Sequence, residues 1–195
     1  MNTKIKLSLL SLVILGLAAP LSAAVETYVI DPVHSSVGFT ARHIFSKVPG
    51  SFTKFSGSLT VDRDNLEKSS VSAEIQVGSV NTASEKRDTH LKSPDFFDAA
   101  KYATITFTSK SWKKTGDDTY DITGDLTIHG VTKEVVLKSK VLGFGPGMGN
   151  SYVTGWEAST TINRRDYGVN GPAMLGNAVG DDIPVSISVE ADLKK

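Results

Sequence analysis

Between Ile183 and Leu193 the chain alternates without interruption: Ile183, Val185, Ile187, Val189, Ala191 and Leu193 are apolar, and Pro184, Ser186, Ser188, Glu190 and Asp192 stand between them. Successive side chains of a strand point to opposite faces, so this pattern buries one face and wets the other. The same period runs through Val37-Phe39-Ala41, Val71-Ala73-Ile75-Val77, Ala103-Ile105-Phe107, Ile122-Gly124-Leu126-Ile128 and, with polar interruptions, Val131-Val135-Leu137-Val141. Further strands are expected over 52–61 and 152–162, giving about eight or nine in all. Short turns such as Asp62–Asn65, Thr115–Asp118 and His129-Gly130 join them.

Amphipathic strands in series, with little room for crossover helices, exclude a parallel α/β sheet and indicate an all-β antiparallel meander. Such a meander either closes into a barrel or divides into a two-sheet sandwich, and periodicity does not separate the two. A barrel of about eight strands reaches the size at which the interior holds one small ligand beside its own side chains.

Composition removes other classes. The 195 residues include no Cys, which excludes a disulfide scaffold, a Cys-ligated zinc finger and an iron–sulfur protein. Basic and acidic residues number 21 each and are dispersed, so no footprint for a nucleic-acid backbone exists. A mean hydropathy of -0.08 suits a packed core and is too low for several membrane spans. Lys4 and Lys6, the apolar run from Leu7 to Ala19, Pro20, and the small residues Ser22 and Ala24 read as a secretory signal peptide cleaved after Ala24. The expected organisation is therefore a signal peptide over 1–24 and one exported, periplasmic domain over 25–195. Without a Cys at the boundary there is no site for a lipid anchor on the new N-terminus.

Two segments break the period. Thr82-Ala83-Ser84-Glu85 has the form of a capping box, with Thr82 as N-cap and Glu85 reaching back, and predicts a helix running to about Lys92. Ser93 and Pro94 then begin a second short turn, and at least one of Phe96 and Phe97 is expected to be buried. This short helical insert either plugs a barrel end or decorates its surface. The second segment, Val169–Asp182, sets Ala173, Met174 and Leu175 among Gly171, Pro172, Gly176 and Gly180. It reads either as a lid over an apolar opening or as a loop packing its own apolar residues on the rim.

Catalytic signatures are missing. There is no Gly-x-Ser-x-Gly, no His-Glu-x-x-His and no Cys nucleophile. Asp88 and His90 lie two apart on the expected helix and point to opposite sides, so they form no dyad. His34, His43, His90 and His129 stand apart without metal-ligand spacing, and no metal site is expected. His129, before Gly130, reads as a turn residue. The stretch from Gly143 to Gly149 lacks the Lys-Ser/Thr and helix start of a phosphate loop. In the segment Val33 to Lys47, parity carried on from Val37, Phe39 and Ala41 puts His43 and Phe45 on the buried face and Arg42 on the other. Asn163 to Gly168 adds cations and an aromatic at a strand end. Either group, gathered at one mouth, suits the polar head of an otherwise apolar guest.

Six segments, in this order, carry a resemblance: Tyr28–Phe39 (YVIDPVHSSVGF), Arg42-His43, Gly50–Leu59 (GSFTKFSGSL), Arg87–Ala99 (RDTHLKSPDFFDA), Gly124–Val131 (GDLTIHGV) and Asn163–Gly168 (NRRDYG). Together they resemble the YceI-like family of exported, polyisoprenoid-binding proteins. Ala103 departs from the pattern, standing where the family carries a proline. The resemblance implies a lipocalin-like barrel around a long apolar channel for an isoprenoid, fatty-amide or quinone-like chain, with no required cofactor. It implies head-group contacts from Arg42, His43 and Asp88, and the ligand-binding set expected here adds Phe45, Leu91, Phe97 and Met174. The leading expectation is a non-enzymatic carrier of an amphiphile. The alternatives are an enzyme acting on an isoprenoid diphosphate through Asp88, His43 and an Arg, and an accessory module delivering a quinone-like molecule to a membrane redox complex. An exposed apolar rim would suit a homodimer contact as well as a cavity mouth.

Overall fold

The structure is a computed structural model that describes residues 25–194; the expected signal peptide lies outside them. The strand segments are β1 (Glu26–Ile30), β2 (Ser36–His43), β3 (Ser46–Phe52), β4 (Phe55–Val61), β5 (Ser70–Gln76), β6 (Val80–Asn81), β7 (Thr104–Lys114), β8 (Thr119–Ile128), β9 (Val131–Pro146), β10 (Tyr152–Asn163) and β11 (Asp182–Leu193). The first six are halves of three long, kinked strands. β1 pairs with β4 while β2 pairs with β3, and β4 pairs with β5 while β3 pairs with β6. With β7 to β11 they form, among the described residues, eight strands, each antiparallel to its neighbour in chain order. The last returns to the first: Val185–Ser188 of β11 pair with β2, and Ala191–Leu193 with β1. The choice left open by periodicity is thus resolved as a closed barrel, which has no free sheet edge along its wall.

The alternation of β11 does what its pattern demands. Ile183, Val185, Ile187 and Val189 turn inward, and Ala191 is fully buried. The first four are only half-buried although they face the barrel interior. Inward side chains retain accessible surface only where the interior is not filled.

The two ends differ. At one, Trp112, Trp156, Tyr28, Tyr120 and Phe144 pack ring against ring, with centroids 5.3 Å apart for Trp112–Trp156 and 6.0 Å for Phe144–Trp156 and for Tyr28–Phe144. Arg63, from the β4–β5 connection, lies over Phe144 at 4.9 Å and closes this floor. At the other end the connections are long. The helix α1 (Glu85–Lys92), the turns that follow it and the β10–β11 connection fold over the opening.

Helix α1 ends where the sequence puts it, but its start is built differently. Ser84 occupies the N-cap and makes no side-chain cap bond. Thr82, buried ahead of it, receives Asp88 instead of Glu85: the Asp88 carboxylate accepts from the Thr82 amide at 2.9 Å and from its hydroxyl. Arg87 completes the knot, donating to the Thr82 hydroxyl and carbonyl, each at 2.7 Å. Phe96 is buried and Phe97 half-buried, as expected of that pair. His129 and Gly130, with φ of 53° and 74°, form the turn between β8 and β9, the double positive φ of a tight hairpin.

Candidate functional site

The space inside the barrel is a cavity of about 250 Å³. Its wall runs along β11 from Ile183 to Val189, about 20 Å of strand and roughly 15 Å of depth at the usual barrel tilt. Val37, Phe39, Leu59, Val71, Ala73, Phe107, Ile122, Leu137 and Ala158 carry the wall around the other strands. Trp112 and Trp156 form the floor; Tyr120 and Phe144, which pack against them, lie outside the cavity. Leu91, Phe96, Phe97, Tyr167, Val169 and Val179, none of them on a barrel strand, form the roof.

Among the described residues no carboxylate, imidazole or amine lines this space; its polar residues are Ser56, Ser139, Thr160, Arg164 and Tyr167, beside two indole N–H groups. Ser139 spends its hydroxyl on the Glu157 carbonyl. The Trp112 and Trp156 N–H groups have no acceptor among the described residues, a burial that costs about 1–3 kcal/mol for each donor left unpaired. The two indoles reach the floor by different routes: Trp156 shares the unbroken alternation of Ala158, Thr160 and Ile162 on β10, whereas Trp112 depends on an irregularity of the sheet. A bulge between Ser109 and Ser111 shifts the phase of β7 so that Trp112 turns inward; a second irregularity leaves Leu142 of β9 extra, opposite Gly155 and Trp156, and does not alter the phase of β10.

Arg164 is the roof's clamp. Buried, it donates Nε to the Gly180 carbonyl at 3.0 Å, Nη1 to those of Val169 at 2.8 Å and Asn170, and Nη2 to Asp181 at 2.8 Å. These acceptors lie at both ends of the β10–β11 connection, which one guanidinium therefore holds shut. Within that connection Leu175 packs toward Phe96, whereas Met174 is 90% exposed.

Of the seven residues expected to contact a ligand, Leu91 and Phe97 line the cavity. The other five are placed elsewhere. Asp88 is committed to Thr82. Arg42 is exposed and donates to the carbonyls of Ile44 and Asn177 at 3.0 and 3.2 Å. His43 and Phe45, expected on the buried face, are exposed, Phe45 completely so. The parity of β2 holds through Ala41, but beyond Phe39 the strand no longer pairs with β11; it projects past the rim with β3 as a hairpin bonded to the β10–β11 connection. Met174, in the loop read either as a lid or as packing on the rim, is exposed and absent from the cavity lining. Of the two floor residues that sequence reading did not single out, Trp112 comes from the bulged strand β7, and Trp156 from the regular alternation of β10.

A separate polar group sits where β1 breaks into β2. The donor atoms of Asp31, His34 and Glu190 lie within 4.8 Å of one another, and His34 Nδ1 is 2.6 Å from the Asp31 carboxylate. That hydrogen bond and charge raise the His34 pKa, and the same bond holds the Asp31 carboxyl below its ordinary value. The raised imidazole stabilises the fold below its unfolded pKa of about 6.5 and ceases to do so as pH rises through the folded value; the depressed carboxyl stabilises above about 3.9 and ceases to as pH falls through its own. The pair thus contributes most between these limits. In a proton NMR titration His34 should titrate above the ordinary imidazole range, and Asp31→Asn should return it there; an unchanged midpoint would show the contact to be without electrostatic consequence.

A closed antiparallel barrel, hollow, apolar within and roofed by a helix and a clamped loop, is the architecture of the lipocalin-like small-molecule barrels. The YceI-like domain model matches residues 28–191, and the chain belongs to that family. Protein YceI of Escherichia coli O17:K52:H18 is 40% identical over 177 residues, covering 89% of this chain and 91% of that protein. Among solved structures, Burkholderia cenocepacia BcnA superposes with a TM-score of 0.76 at 23% identity, covering 83% of this chain and 98% of that one. A polyisoprenoid-binding domain from Saccharophagus degradans, implicated in plant cell wall breakdown, superposes with a TM-score of 0.67 at 16% identity, covering 88% and 100%.

Proposed function

We propose that this protein is a periplasmic carrier or sequestering protein that shelters the tail of a long-chain isoprenoid or similar amphiphile inside the barrel. The observation that carries this reading is a cavity about 15 Å deep whose wall is apolar from roof to floor. Such a space rewards a guest that brings hydrocarbon and little else. That no carboxylate, imidazole or amine of the described residues lines the cavity supports binding over turnover; of the residues on which an enzymatic reading would rest, Asp88 is bonded to Thr82 and His43 is exposed outside the cavity. The ligand named for the Saccharophagus domain and the family membership support the same class of guest. Entry requires the roof to move, because Leu91, Phe96, Phe97 and Val179 cover the open end.

Both tryptophans of the chain form the cavity floor, so intrinsic fluorescence reports occupancy directly. Titration with prenyl or acyl alcohols of increasing length should show affinity rising about fourfold per added methylene, the equivalent of about 0.8 kcal/mol, until the cavity is full. Mass spectrometry of organic extracts of the purified protein should recover a lipid. Length-independent affinity together with a lipid-free extract would overturn the reading.

A further inference from the structure

The β2–β3 hairpin ends in a turn whose residues suit neither turn geometry nor solvent. Two-residue hairpin turns favour Asn, Asp and Gly; here the two are Ile44 and Phe45. Ile44 adopts a φ of 52°, a left-handed conformation uncommon for a β-branched side chain. Phe45 is 101% exposed. A turn so composed is retained where the exposed side chains themselves serve a purpose.

Its location suggests that purpose. The Ile44 amide donates to the Ala178 carbonyl at 2.7 Å, and His43 bridges to Val179, a residue of the cavity roof. Ala178 donates in turn to the Leu175 carbonyl, which brings the neighbouring, exposed Met174 to the same end of the barrel. From Pro32 to Val61 the chain contains no Asp or Glu but includes Arg42, Lys47 and Lys54, and from Tyr167 to Gly180 it has no charged residue. Neither Arg42 nor Lys47 makes an ion pair among the described residues. The roof is thus flanked by an apolar tip with uncompensated cations behind it. Apolar insertion combined with cationic attraction is what an anionic lipid surface selects.

We propose that Ile44, Phe45 and Met174 insert into the surface of an anionic bilayer, with Arg42 and Lys47 against its headgroups, so that the barrel docks on the membrane roof first. The proposal rests on the carrier reading, since it places the opening where a lipid would enter or leave. The opposite end of the barrel supplies an internal comparison: Met148, in the β9–β10 connection, is also exposed, as is Leu142 near the end of β9.

The test is flotation of the protein with vesicles of phosphatidylethanolamine and phosphatidylglycerol, against pure phosphatidylcholine. The expected result is binding to the anionic vesicles that weakens as salt is raised. Phe45→Ser should lower the partition coefficient about tenfold, as should Met174→Ser, the loss that corresponds to one large apolar side chain. Met148→Ser should leave it unchanged, and Phe45→Ser should bind soluble prenyl alcohol as the parent does. Failure of the parent to float with anionic vesicles would overturn the docking proposal, as would equal losses for Phe45→Ser and Met148→Ser. So would a dimer in light scattering that Phe45→Ser dissolves, which would assign the tip to a second copy of this chain. If vesicle binding holds while prenyl alcohols do not bind in solution, it is the carrier reading that falls.

Discussion

Replacing Ala158 by phenylalanine should weaken binding of a long-chain guest at least about 100-fold while leaving the barrel folded. Ala158 lies on β10, between Ser139 of β9 and Ile187 of β11, with its methyl group on the cavity wall. A benzyl group there enters the middle of a 250 Å³ space and takes room a tail would fill. Excluding three or four methylenes removes roughly 3 kcal/mol, about two orders of magnitude in affinity. The unliganded protein should not suffer, because the ring covers apolar wall and fills space that packing otherwise leaves open; its melting temperature should hold or rise. Ala73→Phe enters from β5, four strands around the barrel, and should act in the same way. Tryptophan fluorescence titration and thermal melts decide the matter. Two folded variants that bind a long prenyl alcohol as tightly as the parent would show that the tail does not occupy the barrel.

The parts of this molecule legible in the sequence are those set by short-range alternation. Along β11 each residue faces where its parity puts it, and Val37, Phe39 and Ala41 of β2 reach the cavity wall as their spacing indicates. Parity fixes a side, however, and burial on that side depends on what stands opposite. His43 keeps the phase of Phe39, but the strand has left β11 there and its face looks onto solvent, while Phe45 lies in the turn beyond the strand, where alternation no longer applies. Trp112 illustrates the converse. Strict alternation from Phe107 turns Ser109 and Ser111 inward and Trp112 outward, and the bulge beside Lys110 reverses the phase. No turn residue or periodic signal marks that bulge. Trp156 was within reach, since unbroken alternation back from Ile162 puts it on the inner face. Closure was not, because the bonds that distinguish barrel from sandwich join Tyr28 to Leu193, at opposite ends of the domain. The capping of α1 turned on a choice between two carboxylates one helical turn apart, Glu85 and Asp88, and the position of Thr82 two residues before the N-cap favours the latter.

Adjacent arginines with the same chemistry should differ sharply on mutation. Arg164→Met should destabilise the protein by about 3–5 kcal/mol, because it keeps the apolar stem but abandons buried carbonyls of Val169, Asn170 and Gly180 to an environment without donors. For a domain of this size that is a fall of about 10 °C or more in melting temperature. Arg165→Ala should cost less than about 1 kcal/mol: the Arg165 side chain is 45% exposed and its ion pair with Asp181 is screened by solvent, while the Arg164 side chain is 7% exposed. The two also differ in what they hold. Arg165 reaches Asp181 alone among the described residues, whereas Arg164 ties both ends of the β10–β11 connection together. Hydrogen exchange in Arg164→Met should therefore accelerate first between Val169 and Asp181, with the barrel strands retaining protection under native conditions. A roof released in this way should shorten the residence of a bound prenyl alcohol more than it alters the association rate. Equal melting temperatures for the two variants, or exchange that quickens evenly through barrel and loop, would show that Arg164 does not serve as the clamp.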